Sequence, residues 1–456
     1  MDSFDTFGLS PQLLPGLQAL GYTTPTPIQS QALPVILQGQ DLIAQAPTGS
    51  GKTAAFGLGL LQQIDLAQVS TQALVICPTR ELADQVARQL RTLGTGLSNL
   101  KISLLCGGMA LEPQLASLEH DPHVVVGTPG RLQELLVKRA LHLARLRVLV
   151  LDEADRMLDM GFEEAIRDIV KRTPATRQGL LFSATFPEPI RVLAQAFLKT
   201  PLELSADAAQ AAPVIEQHLV EIDPAQRQTV LAGLLARHAP TAAIVFCNQR
   251  KDADEVAQSL RHFGFSALAL HGDLEQRDRE EVLVRFANGS ANVLVASDVA
   301  ARGLDVDIVD LVINYDLPSD AETYTHRIGR TGRAGRSGTA ISLCAPRDLP
   351  RLERIEELHG APLPRLRPAS APRPGSAPPA PMATLRIDGG KTDKLRPGDI
   401  LGALTGDAGL QAAAIGKIAI FPTRSYVAIA RTQAGKALTR LSEGRIKNRR
   451  FRVRQL

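Results

Sequence analysis

Ala46-Pro47-Thr48-Gly49-Ser50-Gly51-Lys52-Thr53 follows a short apolar run, Leu42-Ile43-Ala44, and precedes a helix-like segment from Ala54 to Leu61. Strand, glycine loop, helix is the setting of a phosphate-binding P-loop. The glycines let backbone N–H groups turn inward, and the helix N-terminus adds partial positive charge. In that reading Lys52 reaches the β- and γ-phosphates, and the Thr53 hydroxyl ligates Mg2+. Ala46 stands where the general pattern has its first glycine. The alternative is an ordinary glycine-rich strand–helix turn, which the Gly-x-Gly-Lys-Thr order disfavours.

Outward from the loop, one pattern recurs between Asp41 and Ser183. A short apolar run ends in a small polar cluster, and a helical segment usually follows. Ala73 to Cys77 leads to Pro78-Thr79-Arg80-Glu81-Leu82, and Lys101 to Leu105 to Cys106-Gly107-Gly108. Val124-Val125-Val126 leads to Thr128-Pro129-Gly130-Arg131, Val148 to Leu151 to Asp152-Glu153-Ala154-Asp155, and Leu180-Leu181-Phe182 to Ser183-Ala184-Thr185. Apolar strands alternating with helices predict a parallel sheet covered on both faces, with ligands beyond its carboxyl ends. Asp152 and Glu153 end a buried strand beside a P-loop, which suits a Walker B pair. Asp152 holds Mg2+ there, and Glu153 deprotonates the attacking water. The alternative is a capped helix start with solvated acids. Upstream, Thr23-Thr24-Pro25-Thr26-Pro27 breaks helix and Ile28-Gln29 starts the next one. A glutamine there can offer a donor and an acceptor to an adenine edge, or act as a cap.

A second α/β unit follows the Ala/Asp/Gln-rich stretch 206–212, with strands expected at Ala242–Phe246, Ala267–Leu270, Asn292–Ala296, Leu311–Asn314 and Thr339–Leu343. It has no Gly-x-Gly-Lys-Thr, so it cannot cradle a triphosphate alone. It carries His326-Arg327-Ile328-Gly329-Arg330-Thr331-Gly332-Arg333-Ala334-Gly335-Arg336. Arginines between glycines suit arginine fingers, if the two units close over one nucleotide, and RNA-backbone binding equally.

At 456 residues the chain holds two or three domains. No apolar run is long enough to span a bilayer, and the acidic start Met1-Asp2-Ser3-Phe4-Asp5 lacks the regions of a signal peptide. Cys77, Cys106, Cys247 and Cys344 are far apart and form no C-x-x-C pair, so a reducing cytoplasm is expected. Charge is uneven. Residues 382–456 hold 15 Lys+Arg against 5 Asp+Glu, a net of +10, while residues 1–360 carry −9. A basic module on an acidic body suggests a polyanion partner, against a merely solvated tail. Residues 361–381, rich in Pro, Ala, Ser and Arg, read as a semi-extended, disordered linker. Beyond it, strands at Thr384–Ile387, Lys417–Ile420, Tyr426–Ala430 and Phe451–Val453, with helices at Pro397–Thr405 and Gln433–Ser442, give a β-α-β-β-α-β order. That order suits a ferredoxin-like, RRM-type sandwich.

These clusters, in this order, resemble the DEAD-box RNA helicases of superfamily 2. The matches begin with the Q motif ending Pro25-Thr26-Pro27-Ile28-Gln29 and the P-loop, whose alanine start is normal for that family. They continue through the clusters above into Val245-Phe246-Cys247-Asn248, Gln276 with Arg279, Ala301-Arg302-Gly303-Leu304-Asp305 and the His326 to Arg333 stretch. Ser297 before Asp298 replaces the family's usual threonine and keeps its hydroxyl. In the tail, Ile387-Asp388-Gly389-Gly390-Lys391, Gly398 to Asp407 and Ile415-Gly416-Lys417-Ile418 resemble the DbpA branch of bacterial DEAD-box proteins. That branch uses its C-terminal RRM-like domain to bind a hairpin of large-subunit ribosomal RNA. The usual aromatic run is absent here; only Tyr426, with Phe421 just before it, offers rings, so Arg and Lys contacts are expected to carry more of the binding.

The resemblance implies two RecA-like parallel-sheet domains in tandem, 1–208 and 213–360, then the linker 361–381 and an RRM-like domain 382–456. It implies an RNA-dependent ATPase that separates short RNA duplexes during large-ribosomal-subunit assembly, with ATP and Mg2+ as cofactors. Its partners would be ribosomal RNA and pre-ribosomal particles, and the protein a cytoplasmic monomer. By the same resemblance Gln29, Tyr22 and Phe4 hold adenine and Asp305 the ribose, while Arg330 and Arg333 stabilise the transferring phosphoryl group. Thr79, Arg80, Gly108, Thr128, Arg131, Arg279 and Ser297 line an RNA backbone track, and Ser183 and Thr185 couple nucleotide state to closure. Arg449, Arg450 and Arg452 are the tail's expected RNA contacts. An ATP-gated RNA clamp needs the same motifs and stays open as a rival.

Overall fold

The computed structural model describes residues 3–46, 49–186, 188–205, 215–301, 309–332, 337–407 and 409–456. The chain folds as two compact units that part near residue 212. Pro47, Thr48, Asp305 and Arg333 lie outside the described residues.

The first unit is built on seven parallel strands: β1 (Leu42–Gln45), β2 (Ala73–Ile76), β3 (Ile102–Leu105), β4 (Val124–Gly127), β5 (Val148–Asp152), β6 (Gln178–Ser183) and β7 (Leu202–Ser205). Their order is β3-β4-β2-β5-β6-β1-β7. Alternation along each strand divides the apolar residues between two cores. Leu42, Ala44, Val75, Val126, Val150 and Phe182 face the helices Pro27–Leu37, Lys52–Gln62 and Arg80–Leu93. Ile43, Leu74, Val125, Leu149 and Leu181 face the helices Pro129–Val137, Glu163–Lys171 and Glu188–Phe197. Burial on both faces is why these strands read as continuous apolar runs. The edge strand β7 escaped that reading because Leu202 and Glu203 are exposed.

The second unit contains six parallel strands, β8 (Ile215–Glu221), β9 (Ala243–Cys247), β10 (Ala267–Leu270), β11 (Val293–Ser297), β12 (Leu311–Asn314) and β13 (Gly338–Cys344), in the order β10-β11-β9-β12-β13-β8. The same compact unit includes a four-stranded antiparallel sheet, β14 (Met382–Ile387), β15 (Ile415–Ile420), β16 (Ser425–Ala430) and β17 (Val453–Gln455), ordered β15-β16-β14-β17. Helices Pro397–Gly402 and Ala434–Glu443 complete the β-α-β-β-α-β order.

The segment 361–381 is not a disordered linker. Leu219 donates to Pro364 O at 2.8 Å and Leu366 donates back to Leu219 O at 2.7 Å, which adds a short parallel rung beside β8. Leu363, Ala369 and Ala377 are buried, and the last two belong to the second unit's core. Arg237 reaches Arg367 O at 3.1 Å. A Pro-rich segment cannot pair with itself, but its extended backbone can satisfy an open sheet edge, and that tertiary partner is invisible in its composition.

Candidate active site and RNA interface

In the first unit the strand order divides the carboxyl edge of the sheet into two adjoining halves. β5, β6 and β1 deliver the P-loop, Asp152-Glu153 and Ser183; β2, β4 and β3 deliver Thr79-Arg80, Thr128 and Gly107-Gly108.

Around the P-loop, Gly49 (φ 85°) and Gly51 (φ 96°) take left-handed conformations that other residues rarely adopt. Gly51 caps the helix that begins at Lys52. Lys52 is 6% exposed, and its Nζ donates to Ala46 O at 2.8 Å. The Ser50 hydroxyl is buried without a partner among the described residues. Gln29 is buried; its Oε1 accepts from Thr26 N at 2.8 Å and its Nε2 donates to Gly51 O at 3.1 Å, while Thr26 Oγ1 donates to Ser50 O at 2.8 Å. Gln29 is therefore a cap and a brace for the loop at once. Phe4 is 4% exposed in the apolar core, edge-on to Phe7, and the Tyr22 hydroxyl accepts from Gln89 at 2.9 Å. Both rings expected near adenine are thus engaged within the protein.

Asp152 is 2% exposed, and its Oδ1 has no hydrogen-bond partner among the described residues. Burial pushes its carboxyl up to about 7, partly offset by Lys52 and reinforced by Glu153. A buried, unmatched hard oxygen beside the P-loop lysine fits Mg2+, whose ligands are oxygens. Glu153 adopts the left-handed conformation at φ 54°, an arrangement that costs roughly 1–2 kcal/mol in an L-residue and is characteristic of functional sites. Its Oε2 pairs with Arg156 Nη1 at 2.6 Å, both side chains being buried. Asp155 Oδ2 accepts from Ala184 N, Thr185 N and Thr185 Oγ1, each at 3.1 Å, and Asp155 N donates to Ser183 Oγ at 3.3 Å. This clamp joins the ends of β5 and β6. The sequence showed both motifs but not their bond, nor the partner that Arg156 gives Glu153.

In the other half, Thr79 Oγ1 caps the helix Arg80–Leu93 by accepting from Leu82 N at 3.3 Å. Thr128 Oγ1 accepts from Gly107 N at 3.2 Å, and Arg131 Nη2 donates to Met109 O at 3.1 Å. Gly108, at φ 70°, lies against the Arg80 guanidinium, where a Cβ would collide. The structure thus gathers Thr79, Arg80, Gly108, Thr128 and Arg131 on neighbouring strand ends.

In the second unit Ser297 ends β11 and is buried, and Arg279 Nη2 donates to Ala300 O at 2.9 Å. Arg330 is buried. Arg327 is the residue that sequence reasoning passed over. At 2% exposure it binds Asp298 through Nε (2.6 Å) and Nη2 (2.7 Å), Asn314 Oδ1 (3.2 Å), Asp316 O (2.6 Å) and Asn248 Oδ1 (2.8 Å). Its signal was only the density of arginines in the motif.

In the C-terminal sheet domain, two loops form a basic shelf. Lys447 Nζ donates to Lys394 O at 2.9 Å, Arg449 pairs with Asp393 at 3.0 Å, and the Arg449 guanidinium lies 5.3 Å from the Phe451 ring centre. Lys394, Lys447 and Asn448 all have positive φ. Lys391, Lys394, Arg449, Arg450 and Arg452 are exposed.

Three family matches lie along the chain: DEAD/DEAH box helicase over residues 26–193, helicase conserved C-terminal domain over 226–335, and DbpA RNA binding domain over 384–455. The chain belongs to the DEAD-box ATP-dependent RNA helicases, in the DbpA type that carries its own RNA-binding domain. It is 53% identical over 457 residues to the ATP-dependent RNA helicase DbpA of Escherichia coli, covering 100% of both chains. It is 42% identical over 369 residues to the DEAD-box ATP-dependent RNA helicase CshA of Geobacillus kaustophilus, covering 81% of this chain and 79% of that one. Among solved structures, S. cerevisiae Dbp5 bound to RNA and ADP BeF3 matches with a TM-score of 0.74 at 32% identity, over 80% of this chain and 96% of that one.

Proposed function

We propose that this helicase unwinds short RNA duplexes during assembly of the large ribosomal subunit, its C-terminal domain holding ribosomal RNA of the pre-ribosomal particle. The observation that carries the reading is the pairing of an unmatched buried carboxylate at the P-loop with a separate exposed basic shelf. One suits phosphate chemistry, the other a polyanion. Lys52 holds the phosphates, and Thr53 with Asp152 holds Mg2+. The ion supplies neutralising charge at the phosphate oxygens when bound. Glu153, positioned by Arg156, accepts the proton of the attacking water. Arg330 and Arg333 stabilise the transferring phosphoryl group, Asp305 contacts the ribose, and Gln29 links the adenine end to the loop. Thr79, Arg80, Gly108, Thr128, Arg131, Arg279 and Ser297 follow the RNA backbone; such contacts position more than they specify. Arg449, Arg450 and Arg452 contact phosphates on the shelf. The Asp155 clamp on Ser183-Ala184-Thr185 carries changes at the phosphates to the strand ends that meet RNA. The protein acts as a cytoplasmic monomer; among the described residues no helix is long and apolar enough to cross a membrane.

The test is strand separation of a short RNA duplex joined to a large-subunit ribosomal RNA fragment, with and without Mg·ATP. ATP-dependent separation, faster than with a random RNA flank, is expected. ATP-dependent retention of RNA without separation would assign a clamp instead.

A further inference from the structure

From β9 the chain crosses to β10 and β11 on one side of the second parallel sheet, then returns to β12 and β13 on the other. The boundary between β9 and β12 is therefore that sheet's switch point, and doubly wound sheets bind ligands beyond the strand ends there. A cavity of about 650 Å³ opens at this place, a size within the range of small-molecule sites. Its walls come from Gln249 after β9, Asp316 after β12, and Arg347, Asp348, Arg351 and Arg354 after β13. None of the residues assigned above to nucleotide or RNA lines it.

The charges in its walls are unevenly committed. Asp316 and Asp348 are buried and already paired, with Arg227 at 2.7 Å and 3.2 Å. The N–H groups of Asn248 and Ala345 donate to the same two carboxylates at 3.0 Å and 3.2 Å. The three wall arginines are exposed and held loosely. Arg347 and Arg351 stand 3.9 Å and 3.7 Å from Asp348, beyond hydrogen-bond distance, and Arg351 reaches Leu317 O at 3.4 Å. Arg354 has no hydrogen bond or ion pair among the described residues. Gln249 heads the helix Arg250–Phe263 without a side-chain cap, so the first N–H groups of that helix add partial positive charge at the same wall. Asp252 is the one lining acid without a hydrogen bond or ion pair among the described residues, and burial, with Asp316 and Glu255, pushes its carboxyl up.

Three guanidiniums on one cavity whose deep acids are neutralised suit several negative charges in one small group. The guanidinium fork matches phosphate oxygens. A nucleic-acid track would instead spread its cations along a groove and add rings for the bases; among the described residues no aromatic side chain lines this cavity. We propose that the second unit binds a small diphosphate-bearing ligand at its switch point, held by Arg347, Arg351, Arg354 and the opening N–H groups of helix Arg250–Phe263. The site binds and does not hydrolyse, since the second unit has no Gly-x-Gly-Lys-Thr loop. It stands independently of the RNA function proposed above.

Calorimetric titration with inorganic pyrophosphate tests it. The P-loop also accepts this probe, so stoichiometry separates the two sites: two per unmodified chain, one per Lys52→Ala chain. In the Lys52→Ala background, Arg351→Glu with Arg354→Glu should weaken the remaining site roughly a hundredfold, since each lost charge-assisted hydrogen bond is worth about tenfold. Asp252→Asn should tighten it roughly threefold by removing a like charge. If charge reversal lowers the melting temperature, Arg351→Gln with Arg354→Gln takes its place, and the same direction is expected. No pyrophosphate bound to Lys52→Ala, an affinity indifferent to the arginines, or displacement by an equal concentration of sulfate would overturn the site. With Lys52 intact, Arg351→Glu with Arg354→Glu should leave half-activating RNA and unstimulated ATPase within twofold. A rise in half-activating RNA as large as the loss of pyrophosphate affinity would assign the surface to RNA and overturn the proposal.

Discussion

Both parallel sheets bury paired charges at their carboxyl ends, but the first also keeps one carboxylate oxygen unpaired among the described residues. In the second unit Arg327 spends its guanidinium on Asp298, Asn314, Asn248 and a backbone carbonyl, and its flat face lies 5.1 Å from the Phe246 ring centre. Arg227 spends both terminal nitrogens in the same way, on Asp316 at 2.7 Å and Asp348 at 3.2 Å, and lies 4.8 Å from the Tyr315 ring centre, while its Nε has no partner among the described residues. In the first unit Asp152 Oδ1 and Ser50 Oγ have no partner among the described residues. A satisfied buried charge is a clasp, and removing it exposes its partners' unpaired charge. An unsatisfied one is costly to keep and marks where a ligand completes the shell. The comparison separates structure from chemistry within one fold repeated in tandem.

The largest expected effect lies on the chemical side. Glu153→Gln should keep Mg·ATP and RNA binding while steady-state ATPase falls by ~10²–10⁴, the usual worth of a general base. Turnover within a few fold of the unmodified enzyme would show that Glu153 is not the base. On the structural side, Arg327→Ala should cost the second unit about 3 kcal/mol, because it leaves the part-buried Asp298 carboxylate and the Asn314 and Asn248 side-chain oxygens without their donor. Urea unfolding followed by a probe in that unit measures this; a loss below 1 kcal/mol would break the clasp reading.

A pH experiment sharpens the contrast. The Asp152 carboxyl ionises at an ordinary 3.8 when unfolded and at about 7 when folded. Between those values the folded chain binds more protons, so metal-free stability should fall as pH rises across that window and then level off. Asp152→Asn should remove this slope, a change on the order of 1–3 kcal/mol. Thermal melts in chelator at pH 5 and pH 8 provide the readout, and an unchanged slope in the variant would place the titration elsewhere. Exposed charge should matter least for stability. Replacing Arg449, Arg450 and Arg452 with Ala should leave unfolding unaltered but shallow the salt dependence of RNA binding by up to ~3 in log–log slope. An unaltered slope would make the shelf a solvated face.

Much of this was legible in sequence because strand ends in a parallel sheet carry their chemistry in short contiguous clusters. β1, β2, β4 to β6, β9 and β11 to β13 are fully buried or nearly so, and apolar runs announce them; the edge strands β3 and β10 are half buried but still mostly apolar. β7 and β8 sit at sheet edges, where polar residues such as the exposed Glu203 and the half-buried His218 blur the pattern. Partners across the fold were harder. Nothing local says that Arg156 holds Glu153, that Phe4 is core, or that Leu363, Ala369 and Ala377 find burial against another element. Tyr426, with Phe421 just before it, was a ring beside which arginines and lysines were expected to carry more of the binding; the structure places it against Glu281, and burial pushes its phenol up to about 12.

The claim that the unmatched carboxylate is the ligand site is tested most directly by thermal unfolding of Asp152→Asn with and without Mg·ATP. The unmodified chain should gain stability on adding Mg·ATP, by an amount that grows with ligand concentration. Asp152→Asn should be at least as stable as the unmodified chain in the absence of ligand and gain far less on adding it. A variant that is less stable alone yet gains as much from Mg·ATP would show that Asp152 is a structural group, like Arg327, and would contradict the account.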